Sequence, residues 1–231
     1  MNKKFAIAML VGAVSLSNAQ SFSESFDSFT VPSVIVPSYT IVADNSWEVR
    51  NYSATQGTAN WFPGNANVFG PQAGAGYAGV NYQSTSGAND IDTYLMSDVR
   101  TFNDGDTISF YSRTITSPAY ADRLILKLST NGAGTAQGDF ASTLLTINPG
   151  LTLGGYPNAW TQYSVTLSGL GGPTSGRFAF NYNVTNGGPL GNNSDYIGID
   201  TVRYTAVPEP ASMTALGLGV LAMIRRRRNT K

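Results

Sequence analysis

Between residues 20 and 206 apolar side chains recur at alternate positions in short runs, and no run keeps a helical period. A period of two sends successive side chains to opposite faces of a strand, so each run can bury one face and wet the other. Nine runs stand out, at residues 47–52, 77–82, 93–99, 107–114, 123–130, 142–147, 161–167, 177–185 and 196–204. In the fourth, Ile108 and Phe110 share a face against Ser109 and Tyr111. In the eighth, Phe178, Phe180 and Tyr182 alternate with Arg177, Ala179 and Asn181. Turn chemistry separates the runs, as in Asn103-Asp104-Gly105-Asp106 and Asn131-Gly132. Nine or more such strands predict an all-β fold, a single antiparallel jelly-roll-like β-sandwich over residues 20–206.

Composition removes whole chemistries from that scaffold. The 231 residues include no Cys and no His. This excludes disulfides, a Ser-His-Asp triad, a Cys nucleophile and ordinary zinc or haem ligation. Carboxylate, hydroxyl, amide and aromatic groups remain. The formal charge of zero conceals an asymmetry, because residues 20–206 hold seven basic and thirteen acidic side chains. An acidic body with scattered basic residues argues against nucleic acid as a partner.

The remaining basic residues sit at the ends. Lys3 and Lys4 precede an apolar run over residues 5–16, and Ser17-Asn18-Ala19 puts small residues before a cut between Ala19 and Gln20. Residues 1–19 therefore read as a secretory signal helix. At the other end Val207-Pro208-Glu209-Pro210 precedes 14 apolar residues, 211–224, and then Arg225, Arg226, Arg227 and Arg228. As a helix that stretch spans about 21 Å, against the ~30 Å of a bilayer core. The arginines stop transfer on the cytoplasmic side, leaving the body outside the membrane. Such a tail inserts transiently, as a short anchor with a processing motif in front.

Pro208, Glu209 and Pro210, the Gly- and Leu-rich stretch, and Arg225 to Arg228 resemble the PEP-CTERM sorting tail. That resemblance implies a membrane-embedded exosortase as processing partner, and a final place at the cell surface or in extracellular matrix beside exopolysaccharide. The body is similar to the choice-of-anchor J domain and, more distantly, to cleaved-adhesin and MAM-like jelly rolls. The similarity rests on the order of Phe22-Ser23-Glu24-Ser25-Phe26-Asp27, Trp47, Asp92-Thr93-Tyr94-Leu95-Met96-Ser97 and Ile108-Ser109-Phe110-Tyr111-Ser112-Arg113. It continues through Trp160-Thr161-Gln162-Tyr163, Arg177-Phe178-Ala179-Phe180 and Tyr196-Ile197-Gly198-Ile199-Asp200. Tyr94 and Asp98 depart from the Trp and Pro usual there.

First and last strands usually adjoin in jelly rolls, which would bring Glu24 and Asp27 near Asp200. Three carboxylates with backbone carbonyls suit Ca²⁺ as a structural cofactor. Trp61 and Phe62 fall in the long Gly- and aromatic-rich stretch 54–76, the first place to expect a stacked ligand. Arg113 and Arg123 are expected in ion pairs with Asp122 or Asp98. The Asp90/Asp92 and Asp104/Asp106 pairs read as turn chemistry. These features favour a non-catalytic adhesion or glycan-binding module. The alternatives are a purely structural surface component, or a carbohydrate hydrolase that uses two carboxylates.

Overall fold

The alternating runs form strands of two antiparallel sheets packed on a shared apolar core. A computed structural model describes residues 20–31, 38–42 and 45–208. Residues 1–19, expected to form the signal segment, and residues 209–231 lie outside the described residues. In chain order the strands begin with β1 (Phe22–Glu24), β2 (Ser38–Val42), β3 (Ser46–Asn51) and β4 (Phe62–Pro63). Next come β5 (Ala78–Asn81), β6 (Ile91–Ser97), β7 (Arg100–Phe102), β8 (Thr107–Thr114) and β9 (Leu124–Ser129). The described set ends with β10 (Ser142–Ile147), β11 (Thr161–Thr166), β12 (Thr174–Val184) and β13 (Tyr196–Thr205). Among the described residues only two short 3₁₀ turns, Tyr82–Ser84 and Gln137–Asp139, are helical. None is long and apolar enough to cross a membrane.

The first sheet runs β11-β8-β13-β5-β4, and β1 adds to β13 beyond the end of β5. The second runs β10-β9-β12-β6-β3-β2, with β7 paired to the start of β12. Each of the nine runs read from the sequence overlaps a strand. The four that the alternation did not reveal, β1, β2, β4 and β7, are two to five residues long. Runs that short carry too few alternations to show a period.

Both inner faces fill the core. β8 gives Ile108 and Phe110, β9 gives Leu124, Leu126 and Leu128, and β12 gives Phe178, Phe180, Tyr182 and Val184. Phe110 and Phe180 meet edge to face across the sheets with ring centroids 4.8 Å apart. Fully burying a side chain of this size contributes roughly 1.5–3 kcal/mol. The described residues from 20 to 207 form one compact unit around this core.

β13 shows how a register slip serves both faces. Ile197 and Ile199 point inward, yet so do Val202 and Tyr204, which strict alternation would turn outward. The ladder with β8 shifts between Asp200 and Arg203, where one extra residue is accommodated. Thr201 sits there at φ 49°, a left-handed conformation uncommon for a β-branched residue. A bulge resets the phase of the strand. Val202 and Tyr204 thereby return to the core, and Arg203 stays exposed.

Candidate functional site

The two ends of β13 differ in kind. At its C-terminal end β1 pairs antiparallel with it, Phe22 opposite Tyr204 and Glu24 opposite Val202, so the body begins beside the point where it ends. Ser21 Oγ accepts the Ala206 N–H, and Arg100 donates to the Gln20 carbonyl. Asp106 accepts the Val207 N–H at 2.9 Å and binds the Tyr204 hydroxyl. Pro208 follows directly. Glu209, Pro210 and Arg225 to Arg228 lie outside the described residues, as does Ala19.

At the N-terminal end of β13 three loops meet around a cleft. Asp122, fully buried between β8 and β9, organises them. Its Oδ1 accepts the Tyr182 hydroxyl at 2.6 Å and the Asp195 N–H at 2.8 Å, and its Oδ2 accepts Thr114 Oγ1 at 2.9 Å. Burial raises its pKa to about 6 despite those hydrogen bonds. The connection between β12 and β13 folds tightly on itself. Asn192 and Asn193 N–H groups both reach the Asn186 carbonyl, and Ser194 N–H reaches the Ala121 carbonyl. Asn186 at φ 49° and Gly188 at φ 84° make the turns. A Cβ on Gly188 would lie 2.4 Å from the Gly87 carbonyl oxygen, so a side chain there would displace backbone.

The cleft encloses about 500 Å³ and is lined by Tyr82, Ile115, Tyr120, Pro189, Ser194 and Asp195, among others. Tyr82 is 39% exposed and Tyr120 46% exposed, although most aromatic rings of the body are buried. Asp195 Oδ2 accepts the Ala119 N–H, and its carbonyl accepts the Tyr82 N–H. Flat rings beside hydroxyl and carboxylate acceptors in a pre-built hollow suit a ligand with both apolar and hydroxylated faces. The lining has one carboxyl group, whereas glycoside hydrolysis requires two facing each other.

Trp61 and Phe62 are not the stacking platform expected of them. Trp61 is fully buried in the main core. Phe62, on β4, lies half-buried 5.7 Å from Tyr196, in a second cluster with Phe69, Tyr77 and Trp160. The 54–76 stretch thus closes over one sheet, where a Cβ on Gly198 would meet the Tyr77 and Phe69 rings within 3 Å. Gly and aromatic content alone cannot distinguish a cover from a receptor.

The carboxylates expected to hold Ca²⁺ are engaged otherwise. Glu24 is fully buried and accepts Phe26 N–H at 2.7 Å, Asn45 N–H at 2.8 Å and Trp47 Nε1–H at 3.1 Å. Asp27 accepts Ala75 and Gly76 N–H groups, which hold its pKa below the ordinary value. Asp200 accepts Gln72, Ala73 and Thr201 N–H groups, and its burial raises its pKa to about 6. Strand adjacency is as expected, but the side chains do not converge. Among the described residues no three acidic, Cys or His groups could hold a metal. N–H donors directed at carboxylate oxygens occupy the positions a cation needs, so the donor set does not fit Ca²⁺.

The arginine expectation also changes. Arg123 donates to Asn183, and Arg113 reaches the Thr114 and Asn158 carbonyls while lying 4.5 Å from the Phe69 ring centre. Asp98 pairs with Arg100 instead, at 2.8 Å. Sequence reasoning missed the cleft because Tyr82, Tyr120 and Asp195 lie in three separate loops. The available signal was the Gly- and Asn-rich stretch at residues 186–194.

Residues 206–228 match a known sorting motif. It is the PEP-CTERM protein-sorting motif. The PEP-CTERM tail marks the chain as an exported precursor, anchored in the membrane and bound for the cell surface. A search of curated proteins finds no match. Among solved structures the body is similar to the K1 cleaved adhesin domain of Lys-gingipain from Porphyromonas gingivalis W83. That match has 19% identity and a TM-score of 0.55, over 82% of this chain and 99% of that one. The K3 cleaved adhesin domain of the same protein matches at 17% identity and TM-score 0.50, over 81% and 100%. These likenesses establish the jelly-roll-like fold shared with cleaved adhesin domains.

Proposed function

We propose that this surface protein is a non-catalytic adhesion module that binds carbohydrate in the cleft at the N-terminal end of β13, displayed at the cell surface after an exosortase processes the PEP-CTERM tail. The observation that carries the reading is the placement of two exposed tyrosines, Tyr82 and Tyr120, in a pre-built cleft at the end of β13 remote from the tail root. β13 is ten residues long, and at ~3.3 Å per residue the cleft stands about 30 Å from Val207 along the strand. Sugar rings present apolar C–H faces that pack on tyrosine, and their hydroxyls donate to a carboxylate such as Asp195. The single carboxyl in the lining favours binding over hydrolysis. The reading extends to this chain the adhesin role named for the K1 and K3 domains, with exopolysaccharide as the natural source of the ligand.

The test is a glycan array probed with the full-length protein in detergent, followed by titration of the strongest hits. Tyr82→Ala and Tyr120→Ala should each weaken binding by about tenfold or more while melting temperature holds. If no glycan binds, or both variants bind as the parent does, the reading fails.

A further inference from the structure

A second hollow lies on the outer face of the sheet containing β13, away from the cleft. It encloses about 300 Å³ and is lined by Gln72, Ala73, Tyr111, Gln162, Thr201 and Arg203. The strands place these groups by register. Gln162 of β11 stands opposite Tyr111 of β8, Tyr111 stands opposite Asp200 of β13, and Arg203 stands opposite Ser109. The bulge turns this part of β13 outward, with the β-branched Thr201 held at φ 49°. Strain of this kind persists only where surrounding structure fixes it, and it gathers at functional positions.

The far wall is fixed as well. Segment 72–76 donates four backbone N–H groups to two carboxylates, Gln72 and Ala73 to Asp200, Ala75 and Gly76 to Asp27. Thr201 Oγ1 donates to Gln72 Oε1 at 2.7 Å and ties the wall to the bulge. Asp200 is thereby taken up with its wall, with Oδ2 and Oδ1 both accepting N–H groups. Arg203 makes no ion pair with any described residue. The lining thus joins one guanidinium to two carboxamides, a phenol and a hydroxyl.

We infer that this hollow binds a single carboxylate-bearing sugar unit, a uronate, with Arg203 holding the carboxylate and Gln162, Tyr111 and Gln72 serving the ring hydroxyls. Arginine matches a carboxylate in planar, two-pronged geometry, and the neutral amides and phenol suit hydroxyls. The volume is at the lower end of ligand pockets, which run ~300–1,000 Å³, so it admits one ring rather than a chain segment. The site is independent of the tyrosine cleft and shares no lining residue with it.

Full-length protein in detergent is titrated with galacturonic acid, with polygalacturonate, and with galactose and dextran as neutral controls. Both uronate probes should bind, weakening as salt rises, and the neutral controls should not compete. Polygalacturonate bound without competition from free galacturonic acid would mean general attraction to a polyanion and would overturn the single-unit site. Arg203→Gln should weaken galacturonic acid by about tenfold or more, Arg203→Lys less, and Gln162→Ala should also weaken it. Melting temperature in the absence of ligand should be unchanged, since Arg203 and Gln162 are exposed. Equal affinity for uronate and galactose, or undiminished binding by Arg203→Gln, would overturn the proposal. Tyr82→Ala should leave uronate binding at this hollow intact, which separates its failure from failure of the cleft.

Discussion

Each end of β13 is organised by a fully buried aspartate, and the two do different work. Asp106, at the end where the tail leaves, gathers the Asn103 and Val207 N–H groups and the Tyr204 hydroxyl. Asp122, at the other end, gathers the Asp195 N–H and the hydroxyls of Tyr182 and Thr114. Around Asp106 the aromatic rings are packed in, with Tyr204 against Phe102 and Phe22, and Arg100 over Phe22 at 3.9 Å. Around Asp122 the loops end in exposed Tyr82, Tyr120 and Leu190. The same device, a carboxylate collecting donors from several segments, closes one end and shapes an open cleft at the other. What differs is whether the collected loops carry apolar rings inward or leave them in water.

The larger test of that comparison is pH. Asp122 makes no ion pair with any described residue, and its folded pKa of about 6 exceeds the 3.8 of an ordinary aspartate. A raised folded pKa means that the native state holds the proton more tightly. Its contribution to stability is fully present below pH ~3.8 and is lost as pH rises through about 6. The span of roughly two pKa units corresponds to a loss on the order of 3 kcal/mol between those limits. Asp122→Asn should remove this part of the slope, because the amide keeps an acceptor for Asp195 N–H and never ionises. Denaturant unfolding of both proteins at pH 4 and pH 7 measures it. Parallel pH profiles would show that Asp122 is not a buried, unpaired acid, and the likeness between the two ends would break.

A smaller effect is expected at the tail root. Asp106→Ala leaves three donors without their acceptor, but Val207 is exposed and water can serve it. The Tyr204 hydroxyl also reaches the Thr101 carbonyl. The net cost should be about 2 kcal/mol, and cleavage by an added protease near Val207 should quicken. Binding in the tyrosine cleft should be unaffected. If it falls as well, the ends are coupled through β13 and are not independent devices.

How far this arrangement can be read from sequence depends on whether its parts are local. Alternation at Ile108 and Phe110, or at Phe178, Phe180 and Tyr182, is a property of neighbouring residues and predicted the strands. The Pro208-Glu209-Pro210 tail was equally legible, because its three parts are contiguous. Even the bulge leaves a trace, since Ile197 and Ile199 are followed by Val202 and Tyr204, out of phase by one. Trp61 could not be assigned so. Its burial depends on a core that both sheets complete from strands far apart in the chain. Asp122 looked like an arginine partner, but its donors, Thr114, Tyr182 and Asp195, come from three separate parts of the chain, and Arg123 turns to Asn183 instead. The cleft and the uronate hollow each unite loops or strands far apart in the chain, and no spacing rule reports that.

The smallest expected effect concerns Glu24, another buried carboxylate, near the closed end. Its adjacency to β13 suggested a cation shared with Asp27 and Asp200, and chelation tests whether the closed end is held by metal or by hydrogen bonds. Glu24 Oε1 accepts the Phe26 N–H, and Oε2 accepts from Asn45 and from Trp47 Nε1. A cation at those oxygens would face the same hydrogens and repel their partial positive charge. EGTA should therefore shift the melting temperature by less than about 1 °C, well below the several degrees that accompany 1 kcal/mol in a domain of this size. Glu24→Gln should instead lower it in EGTA and in calcium alike, because the amide turns an N–H group toward donors that need an acceptor. A drop in EGTA reversed by calcium would mean that these N–H groups give way to a cation, and that the closed end is held by metal after all.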